Sequence, residues 1–363
     1  MPNIKRIGVL TGGGDCPGLN AVIRAVTKTA MNVYGIEVFG IEDGFLGLIQ
    51  NRMRPLSWND VSNILTQGGT ILGTSNQANP QRFAIERGGK IEWADVTDRV
   101  YDHLRANEID AVVCIGGDGT MTGAANLVKH GINCIGVPKT IDNDLEGCER
   151  TFGFETAVDT ACECFDKIHT TAMSHHRVMV VEVMGRNAGW LALHTGVASG
   201  SDIILMPEIP YDLAKVCEVL HKRSRAGKRF SIICVSEGAK PKGGDVVVQR
   251  RVETSPDPIR LGGIANKLVA DIEAATKLEA RATILGHIQR GGSPTPGDRV
   301  LATMFGYHAL DLLVHGAEGQ LVVLSGGKLG AVPIETVAGK QRRVPPDDPL
   351  VAAARAVGTA FGD

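Results

Sequence analysis

The sequence predicts an α/β protein built on two mostly parallel β-sheets with helices on both faces. Short runs rich in β-branched residues alternate with longer stretches of helical periodicity, which is the pattern of strand–helix–strand units. Nine such short runs occur, more than a sheet of ordinary size holds. Several of them end in glycine-rich loops, and ligands of parallel sheets bind at the carboxyl ends of the strands. We therefore expect two sheets whose strand ends carry the functional residues.

The elements follow one another in a regular order along the chain. The predicted strands cover residues 7–10, 37–41, 111–115, 134–137, 177–183, 203–206, 231–235, 282–285 and 320–324. The predicted helices between them include residues 20–33, 121–130, 157–171 and 211–225. Prolines and glycines punctuate residues 240–263, which we interpret as an excursion from the fold. An alanine-rich helix is expected from about residue 350, packed back on one domain.

Charge and composition exclude several classes of protein. The 38 Lys and Arg residues against 40 Asp and Glu give a net charge of −2, which removes the electrostatic case for a nucleic-acid binder or a membrane-surface protein. No apolar run approaches the roughly 20 residues that cross a bilayer, and the first apolar run is too short for a signal peptide. The eight cysteines lack the Cys-x2-Cys spacing of zinc or redox sites. We predict a cytoplasmic protein with reduced thiols and with neither nucleic acid nor membrane as partner.

The first glycine-rich loop follows the first strand and reads Thr11-Gly12-Gly13-Gly14-Asp15-Cys16-Pro17-Gly18 before a helix opens. Successive glycines let backbone amides approach a phosphate, and the helix N-terminus adds a partial positive charge. No Gly-Lys-Ser/Thr follows, so this is not a P-loop. A tight strand-to-helix turn explains the loop equally well when it is taken alone.

The second loop reads Gly116-Gly117-Asp118-Gly119-Thr120, with Gly123 one turn into the next helix. A carboxylate in a phosphate-binding loop would be repelled by the phosphate unless a cation lay between them. Asp118 is therefore a candidate Mg²⁺ ligand, directly or through water. The alternative is that Asp118 caps a helix that starts near Met121.

The third loop reads Pro138-Lys139-Thr140-Ile141-Asp142-Asn143-Asp144. In an extended segment residues two apart face the same side, so Asp142 and Asp144 are expected to present both carboxylates to one point. One acid can accept a proton from a substrate hydroxyl while the other fixes a metal or orients its neighbour. The alternative is a solvated acidic turn.

Arginines form a second group of candidates at the predicted strand ends. They are Arg177, Arg186, Arg281 and Arg290. Guanidinium groups match phosphate oxygens in bidentate geometry, so the four together favour an anionic ligand. Each one alone is most simply explained as a surface residue.

These strings, in this order and spacing, resemble the bacterial 6-phosphofructokinase family from residue 4 to about residue 324. The resemblance rests on residues 11–18, 116–120, 140–144, 183–186 and 286–292. It implies two Rossmann-like three-layer α/β domains with the active site in the cleft between them. The larger, phosphoryl-donor domain would comprise residues 1–153 and about 290–345, and the smaller, fructose 6-phosphate domain about 154–289. Residues 346–363 would form the C-terminal helix.

The resemblance also implies roles for individual residues in transfer of a phosphoryl group from ATP to the C1 hydroxyl of fructose 6-phosphate. The donor site, with Mg²⁺ on Asp118, would comprise Gly14, Gly117, Asp118, Gly119, Thr120, Gly123 and Lys139. Asp142 would be the base, with Thr140, Asp144 and Arg186 completing the catalytic group. The sugar phosphate would contact Thr140, Asp142, Met184, Gly185, Arg186, Glu237, His287 and Arg290. Arg177 and Arg281 would come from a neighbouring subunit, which implies a homodimer or homotetramer.

The chain departs from the family pattern at two places that concern the donor. Asn76 stands where short bacterial members carry a donor-contacting arginine, and Arg82 is the nearest cation that could substitute. Lys139 is typical of pyrophosphate-using relatives, whereas Gly119 leaves room for the α-phosphate of ATP. We weigh Gly119 more heavily and expect ATP, with pyrophosphate as the alternative donor. A sensor that keeps the fold without the chemistry is a more remote alternative.

Overall fold

The computed structural model describes residues 4–252 and 258–363. The strands are β1 Arg6–Thr11, β2 Glu37–Ile41, β3 Met53–Pro55, β4 Phe83–Arg87, β5 Lys90–Ala94, β6 Ala111–Gly116, β7 Cys134–Pro138, β8 Val178–Val183, β9 Ile203–Leu205, β10 Ser231–Ser236, β11 Val248–Arg251, β12 Ile259–Leu261, β13 Ala280–Ile284, β14 Gln320–Ser325 and β15 Lys328–Pro333. The helices are α1 Leu19–Thr29, α2 Phe45–Gln50, α3 Thr97–Ala106, α4 Asp118–Lys129, α5 Phe154–His175, α6 Trp190–Ala198, α7 Leu213–Arg225, α8 Ile264–Thr276, α9 Pro296–Val314, α10 Ile334–Val337 and α11 Pro349–Ala356. A π-helical turn, Ala30–Tyr34, extends α1, and a 3₁₀ turn, Gly286–Arg290, follows β13.

The larger sheet has seven strands in the order β15-β14-β7-β6-β1-β2-β3. Its five inner strands pair in parallel, and the two edge strands, β15 and β3, are antiparallel to their neighbours. The inner strands β1, β6 and β7 are almost entirely buried, as expected for a sheet covered on both faces.

The smaller sheet has four parallel strands in the order β13-β8-β10-β9. Helices α7 and α8 pack together over one face, where Val216, Leu220, Leu268 and Ile272 form a separate hydrophobic core. The other face joins the continuous core that surrounds the larger sheet. The predicted fold class, two α/β units with mostly parallel sheets, is confirmed.

All nine predicted strands are present in the described residues. The bounds of one of them differ clearly from the prediction. The strand predicted at 282–285 is Ala280–Ile284, because it begins beside Val178 of β8. Helix α4 begins at Asp118 rather than near Met121, and Gly117 occupies the N-cap position. Asp118 therefore does not cap this helix, and that alternative is wrong.

The antiparallel edge strands β3 and β15 and two antiparallel ribbons were not predicted. One ribbon pairs β4 with β5, and the other, within the predicted excursion at 240–263, pairs β11 with β12. Residues 253–257 of that excursion lie outside the described residues. After β15 and α10 the chain ends in α11, which contacts α6, and Ala360 forms a bridge with Ile203 of the smaller sheet. Within the described ranges, no helix is both long and apolar enough to span a membrane.

Candidate active site

Strands β1 and β6 are neighbours at the point where the larger sheet changes its direction of winding. From β1 the chain crosses to β2 on one side, and from β6 it crosses to β7 on the other. Because such crossovers are right-handed, α1 and α4 lie on opposite faces of the sheet and lead away from the two loops in different directions. The first and second glycine-rich loops therefore border a crevice at the carboxyl ends of the strands.

The two loops are packed tightly against each other. The backbone N–H of Gly12 donates to the carbonyl oxygen of Ile115 at 2.9 Å. A Cβ atom at Gly12 would lie 2.6 Å from Oγ1 of Thr120, so a side chain there would separate the loops. Gly119, in contrast, is exposed, and within the described ranges a Cβ there would have no atom within 4 Å.

Lys139 places a buried cation between the first and third loops. Its Nζ atom donates to the carbonyl oxygen of Gly14, and its backbone N–H donates to Gly116 at 3.0 Å. Only 3% of this lysine is exposed, and burial lowers the pKa of its ammonium group. The cation is held where the glycine-rich loops meet the acidic third loop.

Asp142, Asp144 and Glu237 form a group of carboxylates, in which the two aspartates are buried and Glu237 is half-buried. Burial is the main cause that raises the pKa of Asp144 to about 7, and the charge of Asp142 adds to it. The pKa of Glu237 is also raised to about 7, again by burial first and then by Asp142. Among the described residues, no hydrogen-bond partner reaches the buried Oδ1 atom of Asp142. An acceptor left unpaired in this way is available to a substrate hydroxyl.

The third loop is not the extended segment that was predicted. Asn143 has a left-handed backbone with φ 52°, and its side-chain oxygen accepts from the backbone N–H of Thr151 at 3.0 Å. The hydroxyl of Thr151 donates to the carbonyl of Thr140 at 2.7 Å, and Thr140 Oγ1 accepts from the N–H of Asp142 at 3.0 Å. The two acids thus interact because the loop turns at Asn143. The prediction that an extended segment would point both carboxylates to the same side was wrong. Both are buried, which also contradicts the solvated-turn alternative.

Asp118 has the setting of a ligand that shares a cation with a phosphorylated substrate. One of its oxygens, Oδ1, accepts from the backbone N–H of Gly339 at 2.7 Å, and burial raises the pKa of the carboxyl. In the part of the chain that the structure describes, no cluster of three or more acidic, His or Cys side chains could hold a metal. Mg²⁺ is commonly bound by one or two carboxylates together with substrate phosphates, and Asp118 fits that mode.

The loop after β8 brings Arg186 and Glu237 together. Gly185 has φ 128°, and a Cβ there would lie 2.7 Å from the carbonyl oxygen of Ala188. Arg186 itself has a left-handed φ of 48°, and its N–H donates to Oε1 of Glu237 at 3.1 Å. A strained arginine backbone held by a half-buried carboxylate is typical of a functional site. Met184, which precedes this turn, is half-buried.

The 3₁₀ turn contains His287 and Arg290 and carries Arg290 to the first loop. His287 is exposed, whereas Arg290 is half-buried and donates through Nη1 to the carbonyl oxygen of Asp15 at 2.9 Å. A Cβ at Gly14 would lie 2.6 Å from the same guanidinium nitrogen. Residues from both sheets therefore converge on one cleft.

Comparison with known proteins identifies the family. A protein-family model described as phosphofructokinase matches residues 6–313. The chain belongs to the phosphofructokinase family. Its relatives include ATP-dependent 6-phosphofructokinase 2 of Clostridium perfringens, 52% identical over 100% of both chains. The ATP-dependent 6-phosphofructokinase of Spirochaeta thermophila is 46% identical over 100% of this chain and 99% of its own. A solved phosphofructokinase from Saccharomyces cerevisiae aligns with a TM-score of 0.76 and 32% identity, over 92% of this chain and 45% of that one.

Arg177 and Arg281 lie away from the cleft of this phosphofructokinase chain. Both are at the amino end of the smaller sheet, where Arg281 pairs with Met179, and both contact the carboxylate of Glu279. Arg186 follows the opposite end of β8, roughly 20 Å along the strand direction. Within the described residues of one chain, these two arginines are not brought to the other predicted residues.

Two donor-side predictions stay open in this phosphofructokinase. Gly123 is buried, and a Cβ there would lie 2.6 Å from the ring of Phe45, so packing alone requires a glycine at this position. Arg82 stacks on Trp93 of the β4–β5 ribbon, with 4.5 Å between the guanidinium carbon and the ring centre. Asn76 is exposed. A donor contact for Gly123 or Arg82 stays a prediction.

Sequence reasoning missed a C-terminal segment of the site. Residues 339–344, which we call the C-terminal strap, run beside the carboxylates between α10 and α11. Gln341 donates through Nε2 to Oδ2 of Asp144 at 3.3 Å, and the N–H of Arg342 donates to the carbonyl of Asp144 at 2.8 Å. No glycine loop or paired acids mark this segment, so no motif in the sequence points to it.

Proposed function

We propose that this chain transfers the terminal phosphoryl group of ATP to the C1 hydroxyl of fructose 6-phosphate, giving ADP and fructose 1,6-bisphosphate in glycolysis. The observation that carries the proposal is the 52% identity, over the whole of both chains, with a relative named ATP-dependent 6-phosphofructokinase. The buried carboxylates between the glycine-rich loops and Arg186 support the same reaction. Because both substrates are phosphorylated metabolites of the cytoplasm, we assign the reaction to that compartment.

ATP occupies the crevice formed by the first and second loops. Support comes from the open space at Gly119, which leaves room for an α-phosphate, and from the backbone of Gly117 and Thr120 in the same loop. Gly14 borders the crevice from the first loop. Lys139, already held at Gly14, neutralises the terminal phosphate. The pyrophosphate alternative that Lys139 suggests has no support from the two full-length relatives, both named as ATP-dependent.

Asp142 accepts the proton of the sugar hydroxyl. Its unpaired, buried Oδ1 atom is the acceptor available for that bond. Thr140 holds the backbone at Asp142, and Asp144 lies beside it as the second acid. With the base and the donor fixed in line, catalysis rests on positioning and on neutralisation of the transferring group.

Asp118 holds Mg²⁺ together with the phosphates of ATP. When bound, this ion neutralises negative charge on the phosphate oxygens. The carboxylate is oriented for this task by the backbone N–H of Gly339. Asp118 is half-buried, so the ion would be partly shielded from solvent.

The sugar phosphate lies on the side of the smaller sheet. Met184, Gly185 and Arg186 line it after β8, with Glu237 after β10 and His287 and Arg290 in the 3₁₀ turn. Arg186 also contributes to catalysis by neutralising charge near the transferred phosphoryl group.

Each site is completed by a neighbouring subunit in a homodimer or homotetramer. Arg177 and Arg281 supply that contribution, which agrees with their position at the far end of the smaller sheet of their own chain. An interface between copies that places this end against a partner's cleft would bring the two guanidinium groups to the sugar phosphate.

We divide the chain by the sheet to which each strand belongs. Residues 1–153 and about 290–345 form the donor domain, which agrees with the presence of β14 and β15 in the larger sheet. Residues from about 154 to 289 form the sugar-phosphate domain, and residues 346–363 form the C-terminal helix segment.

The purified chain, incubated with Mg²⁺, ATP and fructose 6-phosphate, tests the reaction. Phosphorus NMR of the product should show a second phosphomonoester on C1, formed in equal amount to ADP. Binding of both ligands without product would favour the sensor, and hydrolysis of ATP without a new sugar phosphate would also contradict the proposal.

A further inference from the structure

The C-terminal strap connects the two sides of the cleft. At its start the N–H of Gly339 donates to Asp118 on the donor side, at 2.7 Å. At its end the N–H of Val344 donates to Oε1 of Glu208 at 3.0 Å. The same oxygen of Glu208 accepts from the N–H of Gly189 at 2.9 Å, three residues after Arg186. The strap is thus hydrogen-bonded to the segments that carry the donor and sugar residues.

The side chain of Gln341 makes a second link in the middle of the strap. Its Nε2 atom donates to Oδ2 of Asp144, and its Oε1 atom accepts from Nδ2 of Asn187, each at 3.3 Å. Asn187 directly follows Arg186. A carboxamide suits this position because it both donates to a carboxylate and accepts from another amide.

The backbone around Gln341 is fixed by several independent contacts. Gln341 forms a bridge with Leu145, and the N–H of Arg342 donates to the carbonyl of Asp144 at 2.8 Å. The guanidinium of Arg342 donates to the carbonyl of Asn143 at 3.0 Å and lies 4.0 Å from the ring centre of Trp190. Trp190 in turn donates through Nε1 to the carbonyl of Arg342 at 3.1 Å. The amide of Gln341 is therefore held in place before any substrate binds.

We propose that Gln341 is a positioning residue for phosphoryl transfer, whose amide holds the carboxylate of Asp144 and connects it to Asn187 on the sugar side. This inference rests on the proposed function and adds to it a residue outside the family motifs. Gln341 acts through Asp144 and Asn187 and forms no bond in the reaction. Its contribution is to the alignment of donor and acceptor, so it should affect turnover more than binding.

The test compares Gln341→Ala and Gln341→Glu with a matched control, Gln320→Ala. Gln320 begins β14 at the opposite end of the larger sheet, where its amide donates to the carbonyl of Glu318. We expect Gln341→Ala to lower kcat about tenfold while both KM values change less than about twofold. Gln341→Glu keeps the size of the side chain but sets a second carboxylate against Asp144, so its kcat should fall further. Gln320→Ala should match the wild type.

A double-mutant cycle tests the link to Asn187. The loss caused by Gln341→Ala should be smaller in an Asn187→Ala background than in the wild type, because part of the connection is already absent. Equal losses in both backgrounds would overturn the link across the cleft.

Other results would overturn the inference as a whole. A folded Gln341→Glu variant with wild-type kcat would do so, even if Gln341→Ala failed to fold. A raised KM with unchanged kcat would also do so, since it would assign Gln341 to binding. An inactive wild type would instead overturn the proposed function, and this inference with it. An active wild type, with Gln341 variants that differ from it only in KM, would overturn this inference and leave the proposed function intact.

Discussion

Asp142 combines burial with an unsatisfied acceptor, which is costly unless a ligand supplies the missing donor. The residue is 6% exposed, and among the described residues its Oδ1 atom has no hydrogen-bond partner. An unsatisfied buried acceptor costs roughly 1–3 kcal/mol of folding free energy. A hydroxyl of the acceptor sugar would remove this cost at the moment that it is bound for reaction.

Replacement of Asp142 tests its role as the base. Asp142→Asn keeps the shape of the side chain but cannot accept the hydroxyl proton, so kcat should fall by a factor on the order of 10² to 10⁴. The KM for fructose 6-phosphate should change little, as measured by steady-state kinetics. Near-normal turnover in a folded variant would remove Asp142 from the role of base.

Substitutions at Gly119 and at Lys139 test which residue determines the choice of phosphoryl donor. Gly119→Asp places a carboxylate near the expected α-phosphate without a steric clash, and like charges at a few ångströms cost several kcal/mol in a partly desolvated site. The kcat/KM for ATP should therefore fall sharply. Lys139→Gly should also lower it, because the cation beside the terminal phosphate is lost.

The control for this pair is Gly330→Asp. Gly330 lies on β15, where a Cβ would have ordinary contact, 3.9 Å from Val323. This variant should keep wild-type kcat/KM for ATP. Unchanged ATP turnover in Gly119→Asp would mean that the α-phosphate does not pass near the second loop.

At the scale of elements, the site is an acidic cluster assembled from separate strand ends. Asp144 follows β7 and Glu237 follows β10, and the pKa of each is raised to about 7 mainly by burial. A raised carboxyl pKa means that the folded state binds the proton more tightly than the unfolded chain does. The corresponding stability is present at acidic pH and is lost as the pH rises through about 7.

Neutral replacements should therefore stabilise the protein above neutral pH. Asp144→Asn and Glu237→Gln should each raise the free energy of unfolding at pH 8.5, by an amount on the order of 1–3 kcal/mol. The gain should shrink as the pH is lowered toward 5. Thermal unfolding of each variant across that range measures it, and a gain independent of pH would contradict the assigned cause.

The sequence was sufficient to predict the strands that pair in parallel and the loops that follow them, because both depend on local patterns. Buried strands such as β6 and β7 are continuous apolar runs, and the loops that follow them contain glycines or paired acids. The turn at Asn143 was not predictable, since a left-handed asparagine looks like any other in the sequence. Gln341 lies 197 positions from Asp144, and an amide that contacts a distant carboxylate leaves no periodic signal.

The ribbons were missed for a different reason. Strand β5 is largely exposed, and residues 83–85 of β4 are only half-buried, so the ribbon shows little of the alternation between buried and exposed residues that a sequence pattern can reveal. The π-helical turn at the end of α1 likewise follows from backbone geometry and not from composition.

At the scale of the whole molecule, the position of Arg177 and Arg281 predicts dependence on assembly. Each single change, Arg177→Ala or Arg281→Ala, should weaken binding of fructose 6-phosphate. An equal mixture of Arg177→Ala chains and Asp142→Asn chains should recover activity after subunit exchange, because hybrid sites combine an intact arginine with an intact base. Recovery is measured against each parent alone.

A mixture whose activity does not recover would contradict the contribution across subunits. If subunit exchange is verified, for example by mass spectrometry of tagged chains, and activity stays at the parental level, the arginines act within their own chain. The salt bridges with Glu279 would then be their principal role.

The most direct test of the whole account is the donor preference of the purified wild-type chain. Initial rates of fructose 1,6-bisphosphate formation are measured with fructose 6-phosphate and Mg²⁺, and with ATP or pyrophosphate supplied in parallel over a range of concentrations. We expect kcat/KM for ATP to exceed that for pyrophosphate by at least about tenfold, a difference of about 1.4 kcal/mol in transition-state binding. Turnover with pyrophosphate and none with ATP would contradict the account, and would show that Lys139 rather than Gly119 determines the donor.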